Sequence, residues 1–186
     1  AGYDGKDCEN NIDECLAPET TDQKQIQSLL AGISTKPGQS FVAGDTGTLV
    51  SIKVRAHASF VAPFRLYSGS GTGGDLLWQR NVGLASGWNT VKLNNPSVDL
   101  VGGQTYTFVI LAENAKLWRA NIDLYSGGTY FTNDVAVPDQ DLAFETVIRI
   151  PYCKNGGDCV DEIAGFSCTC TTGYTGDVCA DCETGF

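Results

Sequence analysis

Between residues 17 and 150 the apolar positions recur in twos. Thr48-Leu49-Val50-Ser51-Ile52-Lys53-Val54-Arg55 alternates with the period of a half-buried β-strand, and Trp88-Asn89-Thr90-Val91-Lys92-Leu93 does so again. Thr105-Tyr-Thr-Phe-Val-Ile-Leu111 is nearly continuous in apolar residues, as in a strand buried on both faces. Phe64-Arg65-Leu66-Tyr67 and Leu76-Leu77-Trp78 flank a glycine-rich stretch, Ser68 to Asp75, which reads as a mobile hairpin loop. Val98 to Val101, a segment with Trp118, Ile122 and Leu124, and Leu142 to Ile150 predict further strands. Gln25 to Ile33 fits either a strand or a short helix and is taken as the opening strand. Asn94-Asn95-Pro96, Gly102-Gly103 and Gly127-Gly128 supply turns. Many short strands separated by Gly, Asn and Pro turns predict an all-β chain built on a β-sandwich.

The cysteines divide the chain differently. All eight lie at positions 8, 15, 153, 159, 168, 170, 179 and 182, and none falls in the 137 residues between Cys15 and Cys153. A cysteine-free segment must cohere through its own apolar core, whereas the dense cysteines around it imply disulfides and an oxidising compartment. Zinc fits poorly, because the CxC and CxxC pairs lack zinc-ribbon spacing and the single histidine, His57, is remote. Charge follows the same division. The net charge is −10, with five acids and one base in residues 1–15, six acids and one base in residues 151–186, and a nearly neutral centre. Acidic flanks disfavour nucleic acid as a partner and suit a hard cation. No apolar run approaches the ~20 residues needed to cross a bilayer, so membrane insertion is not expected. Ala1 and Phe186 are expected to be cut ends of something longer.

Cys153-Lys-Asn-Gly-Gly-Asp-Cys159, Cys168-Thr-Cys170 and Gly173-Tyr174-Thr-Gly176-Asp-Val-Cys179 resemble the back end of an EGF-like module. Upstream, Asn11-Ile12-Asp13-Glu14-Cys15 is similar to the opening of a calcium-binding EGF-like module. Asp161 and Phe166, between the third and fourth cysteines, complete that pattern. The resemblance implies one module, residues 9–16 and 151–179, split by an insertion at 17–150. It implies the pairing Cys15–Cys159, Cys153–Cys168 and Cys170–Cys179. It also implies calcium held by side chains of Asn11, Glu14 and Asp161 with carbonyls of Ile12, Glu162 and Gly165. Asp161 occupies the family's aspartate-hydroxylation position, while Asp158 stands where an O-fucose acceptor would be. Residues 1–8, ending at Cys8, resemble the closing hairpin of a preceding module, and residues 180–186 the start of a following one. Cys8 and Cys182 are then unused by the module and are expected to join neighbouring copies or flanking modules head to tail.

The insert resembles jelly-roll sandwich domains of large secreted microbial proteins, through Gln39-Ser-Phe41-Val-Ala-Gly44, Gly87-Trp88-Asn89-Thr90 and Asp141-Leu-Ala-Phe144. Some such domains bind carbohydrate. Trp118 with Arg119, and Tyr130 in the loop from Gly127 to Asp134, are therefore candidate glycan contacts, since aromatic faces match the apolar faces of sugars. No catalytic constellation is present. His57 has no nucleophile to serve, Asp139 and Asp141 beside Pro138 read as a turn, and Gly69 to Gly74 lacks the Lys-Ser/Thr of a phosphate loop. The sequence thus predicts no enzyme but a secreted, extracellular structural or adhesive building block stiffened by calcium and disulfides. The alternative is a lectin-like sandwich displayed on an EGF-like stalk.

Overall fold

The computed structural model describes residues 2–4, 10–12, 15, 17–162 and 165–182, and among these the period-two pattern becomes strand with no helix. The chain divides into two compact units, one from the described residues of Ala1–Pro18 and Ile150–Phe186, the other from Glu19–Arg149. The first begins with β1 (Gly2–Asp4) and β2 (Asn10–Ile12), paired antiparallel. The second contains β3 (Glu19–Gln25), β4 (Leu30–Ser34), β5 (Gly38–Val42), β6 (Gly47–Ala56), β7 (Phe60–Ser68), β8 (Leu76–Leu84) and β9 (Gly87–Lys92). It continues through β10 (Val98–Leu100), β11 (Thr105–Ile110), β12 (Ala115–Ala120), β13 (Tyr130–Thr132), β14 (Val135–Val137), β15 (Asp141–Leu142) and β16 (Phe144–Arg149). The chain then returns to the first unit for β17 (Asp158–Glu162), β18 (Gly165–Thr169), β19 (Tyr174–Thr175) and β20 (Asp181–Cys182).

Glu19–Arg149 is an antiparallel β-sandwich. One sheet has eight strands, in the order β15-β12-β6-β16-β3, with β4 added on β12 and β9 and β10 on β6. The other has six, in the order β14-β13-β5-β11-β7-β8. The chain passes repeatedly from one sheet to the other, and large aromatic side chains fill the space between. Phe108 of β11 stacks on Phe64 of β7, with ring centres 5.4 Å apart, and meets Phe144 of β16 across the sandwich at 5.8 Å. Phe41 of β5 also reaches Phe144, at 6.4 Å. All four are fully buried, each stabilising the fold by roughly 1.5–3 kcal/mol through removal from water.

β6 explains a slip in its own sequence pattern. Leu49 faces the core, but the next inward positions are Ile52, Val54 and Ala56, one step out of phase. The ladder to β16 shifts at that point, with Val147 opposite Ser51 and Ile148 opposite Leu49. A bulge adds one residue and returns the remaining apolar side chains to the core face. β11 is buried along nearly its whole length, as its continuous apolar run predicts.

Several strands differ from the sequence expectation. β3, Glu-Thr-Thr-Asp-Gln-Lys-Gln, has no apolar residue and lies at a sheet edge, held by its ladder to β16 and by Thr146 Oγ1 accepting from the Gln23 N–H at 2.9 Å. The segment expected to open as one strand over Gln25 to Ile33 is broken between β3 and β4. Ile122 and Leu124 are not in a strand; β12 ends at Ala120 and both side chains are exposed. β13 and β14 form a hairpin turning on Asn133 and Asp134, both at positive φ, the residue types that tolerate it best. The glycine-rich loop is tied down. Thr107 Oγ1 accepts from the Gly71 N–H and donates to the Gly69 carbonyl, and Thr72 Oγ1 donates to Asp134 Oδ1.

Asp141, which reads in sequence as half of a turn pair, is only 1% exposed. Its Oδ2 accepts from the Leu124 and Tyr125 N–H groups at 2.7 and 2.9 Å, and its Oδ1 from Gln39 Nε2 at 2.9 Å. Gln39 Oε1 in turn accepts from the Leu142 N–H. One carboxylate thus ties the segment after β12 to strands of both sheets. Burial holds the Asp141 carboxyl above the usual carboxylate range, against the pull of these three donors. Asp139 is exposed in the turn, as the sequence suggested.

The ends of the sandwich lie side by side. β16 pairs antiparallel with β3, Arg149 stands opposite Glu19, and their side chains form an ion pair at 3.2 Å.

Two outcomes follow. Asp141→Asn destabilises the chain by roughly 1–3 kcal/mol in urea titrations, because a buried donor loses its acceptor. With a folded pKa raised above 3.8, Asp141 contributes most stability below that pH and loses it as pH rises through the folded value. The deficit of the Asn variant is therefore widest below pH 3.8 and narrows above it, measured as the difference between the two stability–pH curves. Separately, residues 17–150 alone, under reducing conditions, give a cooperative urea transition, since their core contains no cysteine; a chain without one contradicts the autonomy of the sandwich.

Candidate functional site

The cysteine-rich unit is organised by its bridges. Cys15 is bonded to Cys159, Cys153 to Cys168 and Cys170 to Cys179, with Cα atoms 5.8, 5.6 and 5.2 Å apart. β17 and β18 form an antiparallel hairpin in which Cys159 faces Cys168 and Asp161 faces Phe166. Phe166 stacks on Tyr152 at 4.7 Å. Gly157 is required by close approach, since a Cβ there would lie 2.8 Å from Cys179 Sγ. Asn155 Nδ2 donates to the Cys179 carbonyl and Thr171 Oγ1 to the Asn155 carbonyl, closing the C-terminal loop onto the first. β19 and β20 add a short ladder in which Tyr174 faces Cys182.

The residues implied for calcium fall in two groups. Asp161 and Glu162 are exposed at the far end of β17, and Glu162 stands opposite Gly165. Asn11 and Ile12 lie in β2, opposite Tyr3 and Gly2. Glu14 lies outside the described residues, as does Cys8. Among the described residues no three acid, histidine or cysteine side chains converge on one point. The donor types nevertheless fit the ion: the Asp161 carboxylate and the Glu162 and Gly165 carbonyls are hard oxygen donors. Glu14 is the covalent neighbour of Cys15, which the bridge holds to Cys159, two residues before Asp161 on the same face of β17. Cys182 is exposed and carries a free thiol.

On the sandwich, the three residues singled out for glycan contact separate. Tyr130 is fully buried and its hydroxyl donates to Ser34 Oγ at 2.7 Å, so its ring has no face to offer a ligand. Arg119 is aimed at the same cluster, donating to Ser34 Oγ and to the Tyr130 hydroxyl. It serves packing, and Gly32 is small to admit it: a Cβ there would stand 3.2 Å from its guanidinium. Trp118 is half-buried on the outer face of the eight-stranded sheet. The Arg55 guanidinium lies 5.1 Å from the centre of its ring, and His57 packs edge-on at 6.4 Å while bonding to the Gly32 carbonyl.

The glycan contacts selected from the sequence leave out the most exposed indole. Trp78 is buried against Phe64, but Trp88 is 45% exposed on β9. It stands directly opposite Arg55 in the ladder between β6 and β9. The signal was available: Trp88, Thr90 and Lys92 share a parity on β9, and Val91 takes the core side.

Residues 151–178 match the EGF-like domain family. No curated protein and no solved structure matches the chain. The match and the three bridges make the cysteine-rich unit an EGF-like module, with one cysteine, Cys15, contributed from 144 residues before its partner Cys159.

Proposed function

We propose that the chain is a structural and adhesive building block of an extracellular modular protein or fibre: an EGF-like module, stiffened by calcium, that displays an inserted sandwich. The observation that carries this reading is the pairing of β3 with β16, which lets a folded domain leave a disulfide-rich module and return beside its point of departure. Disulfides and an EGF-like domain are typical of secreted proteins, which supports an extracellular setting. Calcium would be held by side-chain oxygens of Asn11, Glu14 and Asp161 and by carbonyls of Ile12, Glu162 and Gly165. When bound, it would cross-link the N-terminal arm to the β17–β18 hairpin. The acidity of both flanks supports a divalent cation, and their net charge is lowered when one binds. A second reading, a lectin-like sandwich displayed on an EGF-like stalk, is favoured by one observation: an exposed Trp88 opposite an Arg55 that lies over Trp118.

Calorimetric titration of calcium into the intact chain tests the cation. Asp161→Ala weakens binding by roughly tenfold or more, the loss of one charged ligand. An unchanged affinity removes Asp161 from the site.

The head-to-tail arrangement is tested on the exposed thiol. We expect Cys182 to pair with the residue equivalent to Cys8 in the next copy, an arrangement that continues as an array because the two joined surfaces differ. Mass spectrometry of proteolytic fragments of the native material then yields a peptide linking Cys8 to Cys182. A different partner ends the array.

A further inference from the structure

We infer that the outer face of the eight-stranded sheet is a binding site for an acidic polysaccharide, with Trp88 as the stacking platform and Arg55, held over Trp118, as the partner of a sugar carboxylate or sulfate. The inference rests on the lectin-like reading and assigns it a place and a ligand class.

The three side chains form one row. Arg55 of β6 is opposite Trp88 of β9, and on its other side its guanidinium lies over the Trp118 ring, with Ala143 hydrogen-bonded between the two backbones. All three point outward, because Val54, Ala56, Val91 and Leu117 take the inward positions and are buried. Trp88 and Trp118 thus flank Arg55, the one opposite it on β9 and the other beneath its guanidinium. The apolar C–H face of a pyranose can lie on the exposed Trp88 indole, as on any large aromatic face, while Trp118 carries Arg55 over its ring.

Arg55 supplies the charge preference. Among the described residues the ion pairs are Lys36–Glu113, Lys53–Glu145 and Arg149–Glu19, and Arg55 joins none of them. Its guanidinium is fixed over Trp118, so its fork of donors is oriented before any ligand arrives. A carboxylate or sulfate accepts from such a fork in bidentate fashion.

The row runs into a groove. Continuing along β9 and β6, a depression of about 740 Å³ is lined by Lys53, Thr90, Lys92, Asn94 and Arg149 among others. Of its cations, Arg149 is paired with Glu19 and Lys53 with Glu145, while Lys92 joins no ion pair among the described residues. Trp88, Thr90 and Lys92 project from alternate positions of one strand, so stacking, hydroxyl and ammonium groups follow one another along a single track. On a chain of net charge −10, Arg55 and Lys92 are the cations of this track that no ion pair among the described residues engages, and they suit a sparsely charged polyanion in which charge is spaced by sugar rings. Nucleic acid, denser in charge, is opposed by that same net charge.

The test is calorimetry on the intact chain with four probes: a galacturonate oligosaccharide, a chondroitin sulfate oligosaccharide, a neutral cello-oligosaccharide and a single-stranded oligothymidylate. Wild type is compared with Trp88→Ala and Arg55→Gln, both surface changes whose folding is verified by their thermal transitions. The expected result is binding of one or both acidic sugars, weakened roughly tenfold to a hundredfold by either substitution, with the neutral sugar weak in all. The first two probes distinguish carboxylate from sulfate as the anion. Equal binding of the neutral sugar, lost in Trp88→Ala and kept in Arg55→Gln, leaves the lectin-like reading standing and overturns the acidic ligand. Acidic binding unaffected by both substitutions, or oligothymidylate binding as tight, overturns the site. No binding of any sugar overturns site and lectin-like reading together.

Discussion

The Cys15–Cys159 bridge joins residues 144 apart in sequence at a Cα separation of 5.8 Å, and the architecture depends on how that distance is met. A flexible chain of such length would lose about 4–5 kcal/mol of entropy on closing. Here the intervening residues meet the constraint themselves. β3 and β16 run antiparallel as neighbours, with Glu19 opposite Arg149, so the sandwich presents both its ends at one place. Most of the loop-closure cost therefore falls on folding the sandwich, and the disulfide adds less than the unfolded-chain figure. The dependence also runs the other way. Without a folded insert, the module's first cysteine is a distant thiol competing with five others of the same module.

The sandwich satisfies this constraint with ordinary means. Its ends converge because the two strands next to the breaks are partners, and its core is aromatic because two sheets about 10 Å apart need large side chains between them. Phe144 begins the returning strand and also meets Phe41, Phe108 and Tyr125. The strand that closes the insertion is therefore anchored in the centre of the core. A lesion there would loosen the point of return as well as the packing.

Much of this was legible in the sequence, for identifiable reasons. The cysteine spacing and the 137-residue gap mark the module and its interruption, and period two marks the strands whose faces differ in polarity. β3 was illegible because its seven residues contain no apolar side chain; an edge strand can be held by backbone bonds alone. The Asn133-Asp134 turn carried a usable signal, two residues tolerant of positive φ, but the strands it joins are three residues each, too short to show periodicity. Asp141 misled because a carboxylate beside Pro138 suits a turn, and only the fold shows three donors converging on it. Tyr130 and Trp118 looked alike as aromatic residues near loops. Their different fates depend on which side of a strand each occupies, which three-residue and six-residue strands fix only through their partners.

The same bridge has a mechanical consequence for a chain under tension. Tension entering the chain before Cys15 and leaving after Cys159 has a covalent route through the disulfide that omits every residue between them. Without that route the load would enter at Glu19 and Arg149, at one end of an antiparallel pair, and would part the ladder between β3 and β16 one bond at a time, the weakest way to load a sheet. With it, a sandwich inserted in a module under load stays unstretched, and the Trp88–Arg55–Trp118 row, on strands whose ladders lead back to β16, keeps its spacing. A domain appended in series would bear the full tension. Insertion behind a disulfide thus separates the part that transmits force from the part that presents a surface.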